Sequence, residues 1–335
     1  MDAKVFDENI PSLHRVYQDY FPIGAAVTPE VIQSCSNLII KHFNSITAED
    51  HMKFQNIHPQ ETVYDFENAD KIVEFALANQ KKVRGHNLIW HLTPDWLFKD
   101  ALGTKVSREL LLKRMEEHIK TVVGRYRGKV YCWDVVNEGV DDEDSAEMLR
   151  DTEWTQIIGE DYIRKAFEWA HEADPDAILF YNDYSAEDPV KRDRIYKLLK
   201  GLKERDVPVH AVGMQCQFHL GEVSIEDLKI AIEMYASLGL EIQITELNIS
   251  FYSQNDWVSR LETPAPEKLE LFAQTYWDLF GLFRQYKREI TGVTFWGVTD
   301  ENTWASRWPF PRNNWPLLFD KNQDLKEAFW AVVKF

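Results

Sequence analysis

The chain has 335 residues, and its 44% hydrophobic content with only 14 Gly and 13 Pro excludes a disordered or fibrous polypeptide and allows one large core. A formal net charge of −17 argues against nucleic acid and anionic membrane partners, because neutralising phosphates requires clustered Lys and Arg. The 12 tryptophans supply flat apolar faces with one polar edge, which suit sugar rings.

At the N-terminus, Met1 to Phe21 carries Asp2, Lys4, Asp7, Glu8, His14 and Arg15 with no apolar stretch of signal-peptide kind, so the chain as given reads as cytoplasmic. No run of about 18 apolar residues predicts a membrane span. Beyond this, eight short apolar or β-branched runs follow one another. They are Phe21 to Val27, Phe43 to Glu49, Lys82 to Trp90, Val130 to Glu138, Ile178 to Tyr184, Ala211 to Phe218, Glu241 to Asn248 and Ile290 to Val298. Helical periodicity lies between them. After the third run, Ser107 reads as an N-cap, and Leu111, Met115, Ile119, Val122 and Tyr126 fall on one face. After the sixth, Ser224 and Asp227 resemble a capping box, Leu228, Ile232, Tyr235 and Leu238 follow, and Gly239 ends the helix.

Eight strand and helix alternations without a Gly-rich dinucleotide fingerprint favour a closed (β/α)8 TIM barrel over a doubly wound sheet, as a single domain spanning residues 1–335. In a barrel, function gathers at the C-terminal ends of strands, and these ends are polar here: Glu49, His86, Asn137, Glu138, Asn182, Gln215, Glu246 and Asn248. Cys35, Cys132 and Cys216 are odd in number and far apart, which suggests buried thiols and no disulfide framework. No metal-ligand spacing, phosphate loop or nucleophile elbow is present, so no cofactor and no metal are expected, and His86, His91, His210 and His219 read as structural rather than as metal ligands. The acidic run from Asp141 to Asp144 reads as solvated loop, with a calcium site the lesser reading.

The fourth run ends in Asn137-Glu138 and the seventh carries Thr245-Glu246 near its end, facing each other across a barrel mouth. Glycosidic cleavage needs two such carboxyl groups, one to protonate the leaving oxygen and one to attack or to activate water. A lone strand-end Glu is most often a solvated one. Two on facing strands, one beside an Asn, favour chemistry. Spacing would separate a covalent route at about 5 to 5.5 Å from a direct one at about 6.5 to 9.5 Å, and the residues alone leave both open.

Trp133-Asp134-Val135-Val136-Asn137-Glu138, Ile244-Thr245-Glu246-Leu247, Gly85-His86-Asn87-Leu88-Ile89-Trp90-His91 and Thr294-Phe295-Trp296-Gly297-Val298-Thr299-Asp300 resemble the signatures of glycoside hydrolase family 10 endo-β-1,4-xylanases, in their intracellular form. The resemblance runs from Gly24 through Tyr181-Asn182-Asp183-Tyr184 to Pro316-Leu317-Leu318-Phe319-Asp320. It implies a retaining hydrolase of β-1,4-linked xylan or xylo-oligosaccharides, with Glu138 as acid/base, Glu246 as nucleophile and Asn137 on the sugar 2-hydroxyl. By the same resemblance, Lys53, His86, Trp90, Gln215, Trp296 and Trp304 contact the glycone, Glu49 and Asp50 the sugar beyond it, and Asn182 with Tyr184 the leaving-group side. The chain departs from the family at Asp50, usually Asn, at Gln217, usually His, and at Asn248, usually Asp. Gln217 is therefore expected to donate to Glu246 and to accept from Asn248, keeping the hydrogen-bond chain without its charges. Proximity of Glu246 is expected to raise the pKa of Glu138. A cellulase with the same carboxylate pair and a sugar-binding protein without turnover are the competing readings.

Overall fold

The computed structural model describes residues 9–142 and 147–335. Nine strands form its parallel sheet: β1 (Ile23–Val27), β2 (Ser45–Ala48), β3 (Lys82–Ile89), β4 (Cys132–Asn137), β5 (Ile178–Asp183), β6 (Ala211–Met214), β7 (Gln217–His219), β8 (Glu241–Ser250) and β9 (Ile290–Phe295). Consecutive strands pair from β1 to β6, β6 pairs β8, β8 pairs β9, and β9 returns to β1, which closes a (β/α)8 TIM barrel. All eight predicted runs are staves of this barrel. The sixth run is divided: β7 continues β6 after a break at Gln215 and Cys216, where Cys216 takes a left-handed φ of 55°. That turn breaks the strand's alternation, so Gln215 and Gln217 reach different carboxylates, as shown below.

The helices cover the barrel through the stripes expected of them. Arg108–Arg125 begins where Ser107 Oγ accepts from Leu110 N at 3.2 Å, and Leu111, Met115, Ile119 and Val122 are buried against the strands. Ile225–Ala236 is capped by Ser224, which accepts from Asp227 N, and the chain turns away at Gly239 with φ 72°. Cys35, Cys132 and Cys216 are free and buried. Among the described residues, no helix is long and apolar enough to cross a membrane.

The barrel interior is polar at its centre. Arg84 on β3 is fully buried and donates from both terminal nitrogens to Asp134 on β4 at 2.5 Å each, while its Nε donates to Gln243 on β8 at 3.1 Å. Two opposite charges with matched planar geometry satisfy each other where neither could be buried alone. Above this layer the strand ends converge. Crowding is tight enough at β6 that a Cβ on Gly213 would lie 2.2 Å from Asn182 Oδ1, so only glycine leaves room for that amide.

Candidate active site

Glu138 follows the last residue of β4 with a left-handed φ of 55°, a conformation held against local preference by its surroundings. Its main-chain N–H donates to Asn182 O at 2.9 Å and its carbonyl accepts from Arg150 Nε at 3.1 Å. Trp90 Nε1 donates to Glu138 Oε2 at 2.8 Å, and Gln215 Nε2 donates to Oε1 at 3.0 Å. Glu246, within β8, is buried and accepts from Asn182 Nδ2 at 3.0 Å and from Gln217 Nε2 at 2.7 Å.

Two amide paths join these carboxylates. On one, Asn182 Nδ2 donates both to Glu246 and to Asn137 Oδ1, at 2.7 Å, while Asn137 Nδ2 donates to Glu138 Oε1 at 3.3 Å. On the other, Gln217 Nε2 donates to Glu246 and to Gln215 Oε1, at 3.3 Å, and Gln215 donates to Glu138. Asn182 is thereby consumed inside the site: Thr245 Oγ1 donates to its Oδ1 at 2.6 Å, and the side chain is fully buried. Both amide groups of Asn182 are engaged within the barrel, where the side chain bridges Asn137, Thr245 and Glu246.

The Gln217 and Asn248 expectation holds in one half. Gln217 donates to Glu246, but the Asn248 amide donates to the main-chain oxygen of Glu246 at 3.2 Å and does not bond Gln217. The two residues are register partners on β7 and β8. Asn248 thus bonds a carbonyl of its own strand, two residues away.

His86 donates from Nδ1 to Asp134 at 2.8 Å, and burial pulls its pKa down, so the ring stays neutral with Nε2 as an acceptor. Trp296 meets the His86 ring edge to face at 5.0 Å between centroids and is nearly fully buried as a wall. Lys53 Nζ donates to Asp50 at 2.7 Å and sits 4.9 Å above the Trp90 ring, and Arg307 donates to Glu49 at 3.1 Å. Burial, then the charge of Asp50, raises Glu49 to about 7. Trp304 is half-buried, with its Nε1 donor unbonded within the protein. Tyr184 is held by Arg150 and by Asp142, which its hydroxyl contacts, so Asp142 serves cationic and phenolic neighbours. Glu143 and Asp144 of the same acidic run lie outside the described residues.

Three groups escaped the sequence reading, Arg84 and Asp134 beneath His86 and Arg150 behind Glu138, and His91, read as structural, has its Nδ1 3.7 Å from Glu138 Oε2. The first two carry a signal in retrospect, since opposite charges inside neighbouring predicted strands must pair. Arg150 carries none, because its partner is a main-chain carbonyl.

Burial, then the negative charge of Glu138, pushes Glu246 up to about 8. The deep seat of Glu246 makes its ionisation costly. A native Glu246 that keeps its proton to about pH 8, against about 4.5 when unfolded, takes up a proton on folding within that window. Stability should therefore fall as pH rises from about 4.5 to about 8. Glu246→Gln should flatten that fall, leaving the smaller one from Glu49, and should be more stable than the wild type at the upper end by a few kcal/mol in urea unfolding. Parallel stability curves for the two proteins would contradict the burial argument.

The family model described as Glycosyl hydrolase family 10 matches residues 12–335. The chain is 48% identical to Endo-1,4-beta-xylanase B of Paenibacillus barcinonensis over 326 residues, covering 97% of this chain and 98% of the relative. It is 51% identical to Beta-1,4-xylanase of Dictyoglomus thermophilum over 328 residues, covering 97% and 91%. It is also similar, with TM-score 0.95, 46% identity and coverage of 97% and 100%, to a solved mutant structure in complex with xylotriose. Matched over nearly its whole length by the family model and by relatives close to half identical, the chain belongs to glycosyl hydrolase family 10.

Proposed function

We propose that this chain is a retaining endo-1,4-β-xylanase that cleaves xylan or xylo-oligosaccharides by double displacement, as one catalytic domain over residues 1–335. The observation that carries the reading is the pair Glu138 and Glu246, brought from β4 and β8 into one site and joined through amides of Asn137, Asn182, Gln215 and Gln217. Relatives named as xylanases and a related structure holding xylotriose support the substrate class.

In the first step Glu138 gives its proton to the glycosidic oxygen while Glu246 attacks the anomeric carbon. Donors from Asn182 and Gln217, with the charge of Lys53, stabilise the carboxylate form of Glu246 that attacks. In the second step Glu138 accepts a proton from water, which releases the sugar with its configuration retained. Asn137 Nδ2 faces Glu138 and can reach the 2-hydroxyl, and the neutral His86 accepts through Nε2. Lys53, Asp50 and Glu49 recognise glycone hydroxyls, and Trp90, Trp296 and Trp304 wall the groove. Tyr184 lies on the leaving-group side.

Product analysis on xylotriose through xylohexaose and on cellotetraose tests this. Internal cleavage of the xylo-series with little cleavage of cellotetraose is expected. Faster cellotetraose hydrolysis would make the enzyme a cellulase, and binding without reducing-end release would make it a binding protein. Trp304→Ala should lower kcat/KM on xylotetraose by about 2 to 4 kcal/mol of transition-state binding. An unchanged value would return Trp304 to a purely structural role.

A further inference from the structure

We propose that Lys191 is a positioning residue of the reaction, clamping the segment after Glu138 to strand β5 and so holding the acid/base at the leaving oxygen. The inference rests on the acid/base reading of Glu138.

Lys191 lies in the first turn of the helix Pro189–Lys203, whose start is fixed by the Asp188 side chain accepting from Val190 N and Lys191 N. Its side chain is only 3% exposed, so it cannot serve as a surface charge. Nζ lies 2.8 Å from Asp183 Oδ1, on the last residue of β5, and 2.6 Å from Asp142 Oδ1, four residues beyond Glu138. It also sits 3.3 Å above the Tyr184 ring. Burial pulls its pKa down, but Asp183, Tyr184 and Asp142 outweigh burial and keep it charged.

From this cation two further ties run to the same segment. Tyr181 donates to Asp183 at 2.5 Å and accepts from Val140 N at 3.0 Å. Arg150 donates to Tyr184 Oη at 2.6 Å and to the carbonyl of Glu138 at 3.1 Å, while Tyr184 contacts Asp142. The chain is thus held at Glu138, Val140, Asp142 and Arg150, all from β5 and the turn that follows it. A residue with φ 55° keeps that conformation only when its surroundings over-determine it, and the clamp supplies that constraint. Lys191 is too deeply buried to be a candidate sugar contact, so its loss should act through the placement of the Glu138 carboxyl. Proton donation is the step most sensitive to such placement.

The test compares Lys191→Met and Asp142→Asn with the wild type on xylotetraose and on 2,4-dinitrophenyl β-xylobioside, reading kcat/KM, which reports the first displacement. The aryl group leaves without a proton, so misplacement of Glu138 should not matter to it. For Lys191→Met, kcat/KM on xylotetraose should fall on the order of 10²-fold, with a change under about 3-fold on the aryl substrate. Equal losses on both, or no loss on xylotetraose, would overturn the proposal. If circular dichroism shows that Lys191→Met does not fold, Asp142→Asn carries the test with the same expected pattern and the same overturning results. Glu138→Ala run alongside separates the two ideas: if it too lacks leaving-group dependence, the acid/base reading fails, and if it alone shows the dependence, the clamp fails.

Discussion

Replacing Glu246 by Ala is expected to lower kcat on xylo-oligosaccharides by roughly 10⁴-fold or more, the scale of loss when a covalent nucleophile is removed from an otherwise intact site. The geometry behind the expectation is specific. Glu246 is buried, and its two oxygens are held by different amides, Asn182 and Gln217, which fix the carboxylate plane against the sugar. A 2-fluoro-xylobioside with an activated leaving group should label Glu246, because fluorine destabilises the oxocarbenium-like transition states of both steps and lets the covalent sugar accumulate. Peptide mass spectrometry showing the label on any other residue, or an inverted product anomer, would reject the nucleophile assignment.

Glu138→Ala should give the second large effect, and its signature is selectivity. On xylotetraose, whose leaving group needs a proton, kcat/KM should drop by about 10²- to 10⁴-fold. On 2,4-dinitrophenyl β-xylobioside the same parameter should hardly move, while kcat should fall because water then lacks its general base. Added azide, which needs no base, should recover that turnover as a glycosyl azide. Similar losses of kcat/KM on both substrates would argue that Glu138 supports the fold of the site instead of donating a proton. The Trp90 donor to Glu138 Oε2 allows a finer check: Trp90→Phe keeps an aromatic ring in the wall and removes that hydrogen bond.

How Glu138 is held was legible only in part. Asn137-Glu138 could be placed at a strand end from the apolar run before it, and Gln217 could be paired with Glu246 only through the family resemblance. The bridging by Asn182 was not legible, since strand alternation says that it points inward but not that Asn137, Thr245 and Glu246 would meet it there. The Asn248 amide shows the same limit: it bonds a carbonyl of its own strand and not the neighbouring Gln217, and residue type alone does not choose between the two.

By itself, the sequence determined the barrel and the location of its chemistry. Period-two apolar runs alternating with period-three-to-four stripes leave few ways to bury both, and closure then brings every strand end to one mouth. Cap residues such as Ser107 and Ser224 act within three positions of themselves, so local spacing is enough to read them. Only the tertiary structure decided which polar groups meet. Arg84 with Asp134, Gln215 with Glu138, Lys191 with Asp142 and Arg150 with the Glu138 carbonyl join residues on different elements, through stagger, register shifts and the left-handed turns at Glu138 and Cys216. A hydrogen bond or ion pair depends on final atomic separation, and that separation is set by the packing of all the strands together, not by the residues that make the contact.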